Sequence, residues 1–259
     1  MHNQVVTIQL FDKEPYAFSG DLLVCPVEED VPQVGPDAGA TLNRLLQQVR
    51  ETGDFKGSKD QVFLLYPGLT ELEKGSSIQA KRVLFVGLGK QDDLINVRRE
   101  QLRLVGGTIA KQAGAVKARE VLVVLPKAFL LDAVEIAQCL AEGLLLGNYR
   151  FDLYKNPKEE KDTPTRVEQF HLHAGGLAAS AVRKGLEHGR ILAEAVCTAR
   201  DMANQPGNGW TPADFAEYAK KISKKPASSA RYWTRQPCRN WAWAVFSALT
   251  RGQPCRRIW

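Results

Sequence analysis

Three short apolar runs set the strongest limit on what this chain can fold into. Asp21–Val27, Arg82–Gly87 and Glu120–Leu125 are each largely continuous in hydrophobicity rather than alternating. A strand reads that way when both of its faces are covered. Between these runs, apolar residues recur at helical spacing: Leu42, Leu45, Leu46 and Val49 within 39–52, then Leu102, Val105, Ile109 and Ala113 within 96–115. Leu130, Val134, Ala137, Ala141 and Leu144 stripe a further helix. Val5–Leu10, Gln61–Tyr66 and Val167–Ala174 complete the strands. Strands that alternate with helices require crossovers. The expected fold is therefore α/β, a mostly parallel sheet with helices on both faces.

A polar, proline-bearing stretch over 155–165 reads as a surface loop. A long helix follows the last strand, roughly over 177–203. Ala178, Val182, Gly185, Gly189, Leu192, Val196, Ala199 and Ala203 step along it by fours and threes. That spacing makes a narrow face of mostly small residues, which a neighbour can approach closely. This helix should pack on the domain before it or on one after it. The segment Arg200–Phe215 then joins it to another helix. Thr211 suits the N-cap, Pro212 the first helical position, and Asp214 places a carboxylate near free backbone N–H groups.

With 259 residues, 44% hydrophobic and 25% charged, the chain has room for one large or two modest domains. No apolar run reaches the ~18 residues of a membrane span. The first residues lack a basic segment followed by an apolar one, so no signal peptide is expected. Five cysteines without a C-x-x-C fit free thiols in a reducing compartment. The net charge of +6 invites a nucleic-acid reading, but its distribution argues against one. Residues 228–259 hold six arginines and no lysine, aspartate or glutamate. Setting those six aside, 29 of the 35 basic residues remain, which equals the 29 acidic ones. The excess belongs to the tail and is not spread over a folded surface.

Few residues suggest chemistry. Val83–Lys90 is a strand leading into G-x-G. A dinucleotide loop needs a third glycine where Asp92 stands, and a P-loop needs glycine at Leu84 and Ser or Thr at Gln91. A strand-end turn is the better reading. Gly106-Gly107 lies inside a helical pattern and marks close packing. His171 and His173 share one strand face, but no third ligand lies nearby in sequence, so they read as a surface or core pair. Cys25 and Cys139 sit in apolar contexts and read as core. Cys197 lies on the long helix without a basic cluster to lower its pKa. Arg200 and Asp201, at a helix end, should bridge or cap. No Ser-His-Asp set or H-E-x-x-H occurs, and residues 1–227 contain no identifiable catalytic constellation.

Two segments carry a resemblance. R-D-M-A-N-Q-P-G-N-G-W-T-P over 200–212 resembles the R-D-x-x-N-x-P-x-N-x-x-T-P segment of the leucyl (cytosol) aminopeptidases. Glu142–Lys155, E-G-L-L-L-G-N-Y-R-F-D-L-Y-K, resembles another segment of the same family. The resemblance covers roughly 1–225. It implies an N-terminal α/β domain of macro-domain-like fold over 1–174 and linker helices over 175–226 leading to a catalytic domain. In that family the C-terminal domain holds two divalent metals, zinc or manganese, on lysine, aspartate and glutamate ligands. Two such metals polarise the peptide carbonyl and generate the attacking hydroxide. None of those ligand motifs occurs here. The resemblance thus implies no catalytic, cofactor-binding or metal-binding residue in this chain, which alone should be inactive. It further implies a cytoplasmic homo-hexamer that removes N-terminal residues, leucine preferred, from peptides, with no membrane partner. The alternative is a non-enzymatic module that binds a nucleotide, ADP-ribose or a nucleic acid.

The tail reads differently. Four of the five tryptophans (233, 241, 243, 259) lie in the last 27 residues, without hydrophobic periodicity. Disordered tails are poor in tryptophan. Trp241-Ala242-Trp243-Ala244 must be encoded TGG GCN TGG GCN, which one base earlier can read Leu-Gly-Met-Gly. The same shift allows Val/Leu-Leu-Asp at 231–233 and Gly-Ser-Ala-Leu-Pro near 252–255. The aminopeptidase family carries such segments in that order. The expectation is a single-base frameshift between about Lys224 and Arg231, an out-of-frame tail over 227–259, and early termination.

Overall fold

The structure, a computed structural model, describes residues 6–29, 31, 34, 39–67, 78–90, 92–126, 130–155 and 165–223. The expected tail over 227–259 lies outside the described residues. The chain divides into two units, Met1–Asn204 and Gln205–Trp259.

Among the described residues, the first unit is built on six strands: β1 (Thr7–Phe11), β2 (Leu22–Glu28), β3 (Val62–Leu65), β4 (Val83–Gly89), β5 (Glu120–Val124) and β6 (Gln169–His173). Their order across the sheet is β1-β6-β5-β2-β4-β3. Every pairing is parallel except that of β3 with β4, which is antiparallel. The sheet is thus mostly parallel, as the apolar runs imply. The interior strands β2 and β4 are buried along their whole length.

Alternation along each strand divides the core in two. Leu23, Cys25, Val27, Val83, Phe85, Leu122 and Val124 point to one face, where α1 (Ala40–Glu51) lays down Leu42, Leu45, Leu46 and Val49. Leu22, Val24, Leu84, Val86, Val121, Val123, Phe170 and Leu172 point to the other. That face is covered by α2 (Ile95–Ala115) and α3 (Ala133–Gly147), with α4 (Ala179–Ala203) packed on α3. Each fully buried Leu, Val or Phe contributes about 1.5–3 kcal/mol relative to exposure.

The long helix packs on the domain before it, but not along the whole expected stripe. Val182, Gly185, Leu186, Gly189 and Ala193 are buried. A Cβ on Gly185 would sit 2.3 Å from the Val134 carbonyl oxygen, so the small residues do serve a close helix approach. Beyond Gly189 the stripe leaves the contact: Leu192 is 47% and Val196 40% exposed. A repeat stepping by 3.5 drifts by about 20° per heptad on a straight helix of 3.6 residues per turn, so one flat neighbour cannot follow it throughout.

The second unit is described over 205–223 and contains α5 (Pro212–Ser223). Its start matches the reading of Thr211-Pro212-Ala213-Asp214. The Thr211 N–H donates to Asp214 Oδ2 at 2.7 Å, and the Asp214 N–H reaches Thr211 Oγ1 at 3.4 Å. This reciprocal pair satisfies donors that a helix start leaves open. Trp210 meets the Tyr218 ring edge-on at 6.0 Å within the same unit.

Candidate functional site

The two segments that carry the family resemblance meet in space, at the end of α3 and the last turn of α4. The sequence Glu142–Tyr149 is a series of anchors. Glu142 is buried and receives hydrogen bonds from Arg103 Nε on α2 at 2.6 Å and from Gln138 Nε2 at 2.9 Å. Asn148, buried beyond the last turn of α3, exchanges two hydrogen bonds with the backbone of Val167: its Nδ2 donates to the carbonyl at 2.9 Å, and the Val167 N–H donates back at 3.0 Å. That pair ties the end of α3 to the chain entering β6. Tyr149 then turns to α4. Its hydroxyl donates to Asp201 Oδ1 at 2.9 Å and accepts from Asn204 Nδ2 at 3.2 Å. The Arg200 guanidinium lies 5.5 Å from the centre of the Tyr149 ring. Its Nη1 donates to the Leu146 carbonyl at 3.3 Å, one of the acceptors that the end of α3 leaves open.

Arg200 and Asp201 therefore do not bridge each other. Arg200 caps the neighbouring helix rather than its own, and Asp201 takes the tyrosine hydroxyl. Burial pushes the Tyr149 phenol up, and the facing Asp201 carboxylate adds to this against the opposing Asn204 amide, so the phenol stays a neutral donor.

The remaining candidates lie apart. In Val83–Lys90 the N–H groups of both glycines of the G-x-G turn are already used. The Gly87 N–H donates to the Gln61 carbonyl at 2.8 Å and the Gly89 N–H to the Gly57 carbonyl at 2.9 Å. The segment is a strand end closed by its neighbouring loop. His171 and His173 do share the face opposite Phe170 and Leu172. His171 is wedged edge-on against Phe11 and Phe18, and burial holds its imidazole below the ordinary value. Nδ1 of His173 accepts the Gly175 N–H at 3.2 Å. Cys25 and Cys139 are buried core thiols, and Cys197 is half-buried. Burial raises the Cys197 thiol, and the opposing pull of Arg200 does not reverse the shift. Gly106 lies at the contact of α2 with α3, where a Cβ would meet the Leu140 carbonyl at 2.8 Å, whereas Gly107 has open space in the Cβ direction.

Two buried charges were not legible in the sequence. Arg98, 1% exposed, donates from Nε to the Asp92 carbonyl and faces Glu28 at the end of β2. Burial pushes the Glu28 carboxyl up, with Arg98 opposing. Arg50 Nη2 donates to the Glu28 carbonyl at 2.9 Å. This is the carboxyl edge of the sheet, where open α/β folds place ligands, and the chain's own arginines converge on Glu28 there. Arg98 stands four residues before Leu102 on the apolar stripe of α2, and that position was its only sequence signal. Among the described residues, no group of three or more His, Cys, Asp or Glu could hold a metal ion, and no helix is long and apolar enough to cross a membrane.

Sheet order, helix layers and this joint define the class: an α/β domain with a mostly parallel sheet, closed by a long helix. A model described as the cytosol aminopeptidase family, N-terminal domain, matches residues 31–158. The probable cytosol aminopeptidase of Desulfotalea psychrophila is 38% identical over 208 residues, covering 80% of this chain and 40% of that protein. The one of Desulforapulum autotrophicum is 37% identical over 220 residues, covering 82% and 41%. A mutant of tomato leucine aminopeptidase shares the fold, with a TM-score of 0.66 at 21% identity over 91% of this chain and 46% of that one. The bottromycin maturation enzyme BotP in complex with Mn does so at 0.55 and 24% identity, over 79% and 36%. The chain belongs to the cytosol aminopeptidase family, of which it carries the N-terminal domain. It spans about two fifths of the length of the curated relatives it matches.

Proposed function

We propose that this chain is the N-terminal portion of a metal-dependent leucyl aminopeptidase, a scaffold that does not itself hydrolyse peptides. The observation that carries the reading is the match of 80% of the chain to 40% of a probable cytosol aminopeptidase, through a model of that family's N-terminal domain. The parent activity is release of N-terminal residues, leucine preferred, by two divalent metals in a cytoplasmic homo-hexamer. A structural relative described with manganese supports the choice of metal. The residues described in this chain do not fit such a centre. Their carboxylates and imidazoles do not gather in threes, and His171 and His173 are engaged with aromatic rings and backbone. On this reading the metal ligands lie outside the described residues.

Titrating Mn²⁺ or Zn²⁺ into the folded chain tests this, with heat and bound metal both measured. The expected result is no saturable stoichiometric binding. Two equivalents bound per chain would overturn the reading. The composition of 227–259 is accounted for by a change of reading frame, and sequencing the coding DNA tests that separately. A shifted frame that fails to continue the family pattern would remove the frameshift while leaving the domain assignment intact.

A further inference from the structure

We infer that Tyr149, Asp201, Asn204 and Arg200 form a latch that holds the last turn of α4, the point from which the chain leaves the α/β unit. The inference does not depend on the peptidase reading. It rests on one oxygen atom with two partners. The Tyr149 hydroxyl donates to Asp201 and accepts from Asn204, residues three apart on the same helical turn. Helix ends fray because their last carbonyls and side chains lack partners. Here the final turn is instead pinned from outside the helix by a residue 52 positions earlier in the chain.

The rest of the turn depends on that pin. Glu194, Ala195, Val196, Ala199 and Arg200 are exposed, and Ala203 and Asn204 are exposed beyond them. Little apolar burial holds these residues, whereas Val182, Gly185 and Gly189 earlier in the helix are clamped on α3. The base of the latch is itself fixed, because Asn148, next to Tyr149, is locked to Val167 by two buried hydrogen bonds. Arg200 adds a second point of attachment through the Leu146 carbonyl and the Tyr149 ring. A firm base and a lightly held helix end make a local two-state element, which can open without unfolding the sheet. Cys197, half-buried one turn before Asp201, is a built-in reporter of opening.

The test is Tyr149→Phe, which removes the hydroxyl and keeps the ring, read by residue-resolved hydrogen exchange and peptide-mapped alkylation. Losing both bonds should speed exchange of the amides at 200–204 by about fivefold to thirtyfold. Alkylation of Cys197 should accelerate with it, while β2 and β4 amides and Cys25 stay as they are. Asn204→Ala, at an exposed position that cannot unfold the core, should give a smaller acceleration at the same amides. Asp201→Asn keeps an acceptor for the hydroxyl and should retain most of the protection that Asp201→Ala loses. Unchanged exchange at 200–204 in both Tyr149→Phe and Asn204→Ala would overturn the inference. So would an acceleration spread equally over β2, β4 and α4, which would make Tyr149 an ordinary packing residue.

Discussion

Replacing Gly143 with alanine should destabilise this domain, whereas the same change at Gly107 should stabilise it. Both glycines lie in the paired helices α2 and α3, and intrinsic helix preference treats them alike: alanine is favoured by about 1 kcal/mol. Their surroundings differ. A Cβ on Gly143 would stand 2.2 Å from the Arg103 carbonyl oxygen and 2.9 Å from the carbon atoms beside it. These are backbone atoms of α2 and cannot rotate aside. Restoring ordinary contact requires the helices to part by about 1 Å or more in a close-packed interior. Overpacking of this kind costs about 1–3 kcal/mol, sometimes more. After the helix-preference gain, Gly143→Ala should lose up to about 2 kcal/mol, a fall in Tm of up to about 8 °C for a domain this size. A Cβ on Gly107 meets nothing within 4 Å, so Gly107→Ala should raise Tm by about 2–4 °C. Thermal melts followed by circular dichroism at 222 nm decide it. A Gly143→Ala protein that melts above the unsubstituted chain, or a Gly107→Ala protein that melts below Gly143→Ala, would refute the reasoning.

Other expectations follow from the same contacts. Burial alone would raise the Asp21 carboxyl, but the Lys81 ammonium at 2.7 Å and the N–H groups of Arg119 and Glu120 outweigh it and hold the carboxyl below its ordinary value. A depressed carboxylate contributes stability above its unfolded pKa of about 4 and loses it as pH falls through the folded value. The gap in urea midpoint between the unsubstituted chain and Asp21→Asn should therefore be widest near pH 7 and narrow by pH 3; a gap independent of pH would contradict this. Burial pushes the Cys25 thiol far up and raises Cys139 as well. Native alkylation at pH 8, mapped by mass spectrometry, should label Cys197 before either of them, and the reverse order would count against the described core.

Periodicity made the secondary structure legible because burial imposes it. The continuous runs of β2, β4 and β5 and the stripes of α1, α2 and α3 fall within a few residues of where the pattern places them. Strand direction was not legible: Gln61–Tyr66 looks like the other runs, yet β3 lies antiparallel at the edge. Nothing in a strand's own residues records which way its neighbour runs. The long helix was read correctly in extent and only half correctly in packing, because a stripe shows which face is apolar and not how far a partner reaches. The joint shows the limit most clearly. Arg200 and Asp201 look like a local pair, since local spacing is all that sequence displays. Their partners, Leu146 and Tyr149, come from a segment more than 50 residues earlier. The resemblance named both segments, but only folding shows that they are two halves of one contact.

The most direct measurement on the central claim is hydrolysis. The folded chain, its helix and sheet content verified by circular dichroism, is incubated with leucine p-nitroanilide and Mn²⁺ or Zn²⁺. No release of p-nitroaniline above the metal-only rate is expected from the proposed scaffold, whose described residues gather no metal-holding group of His, Cys, Asp or Glu. Sustained turnover that copurifies with the chain and is abolished by a chelator would contradict the account.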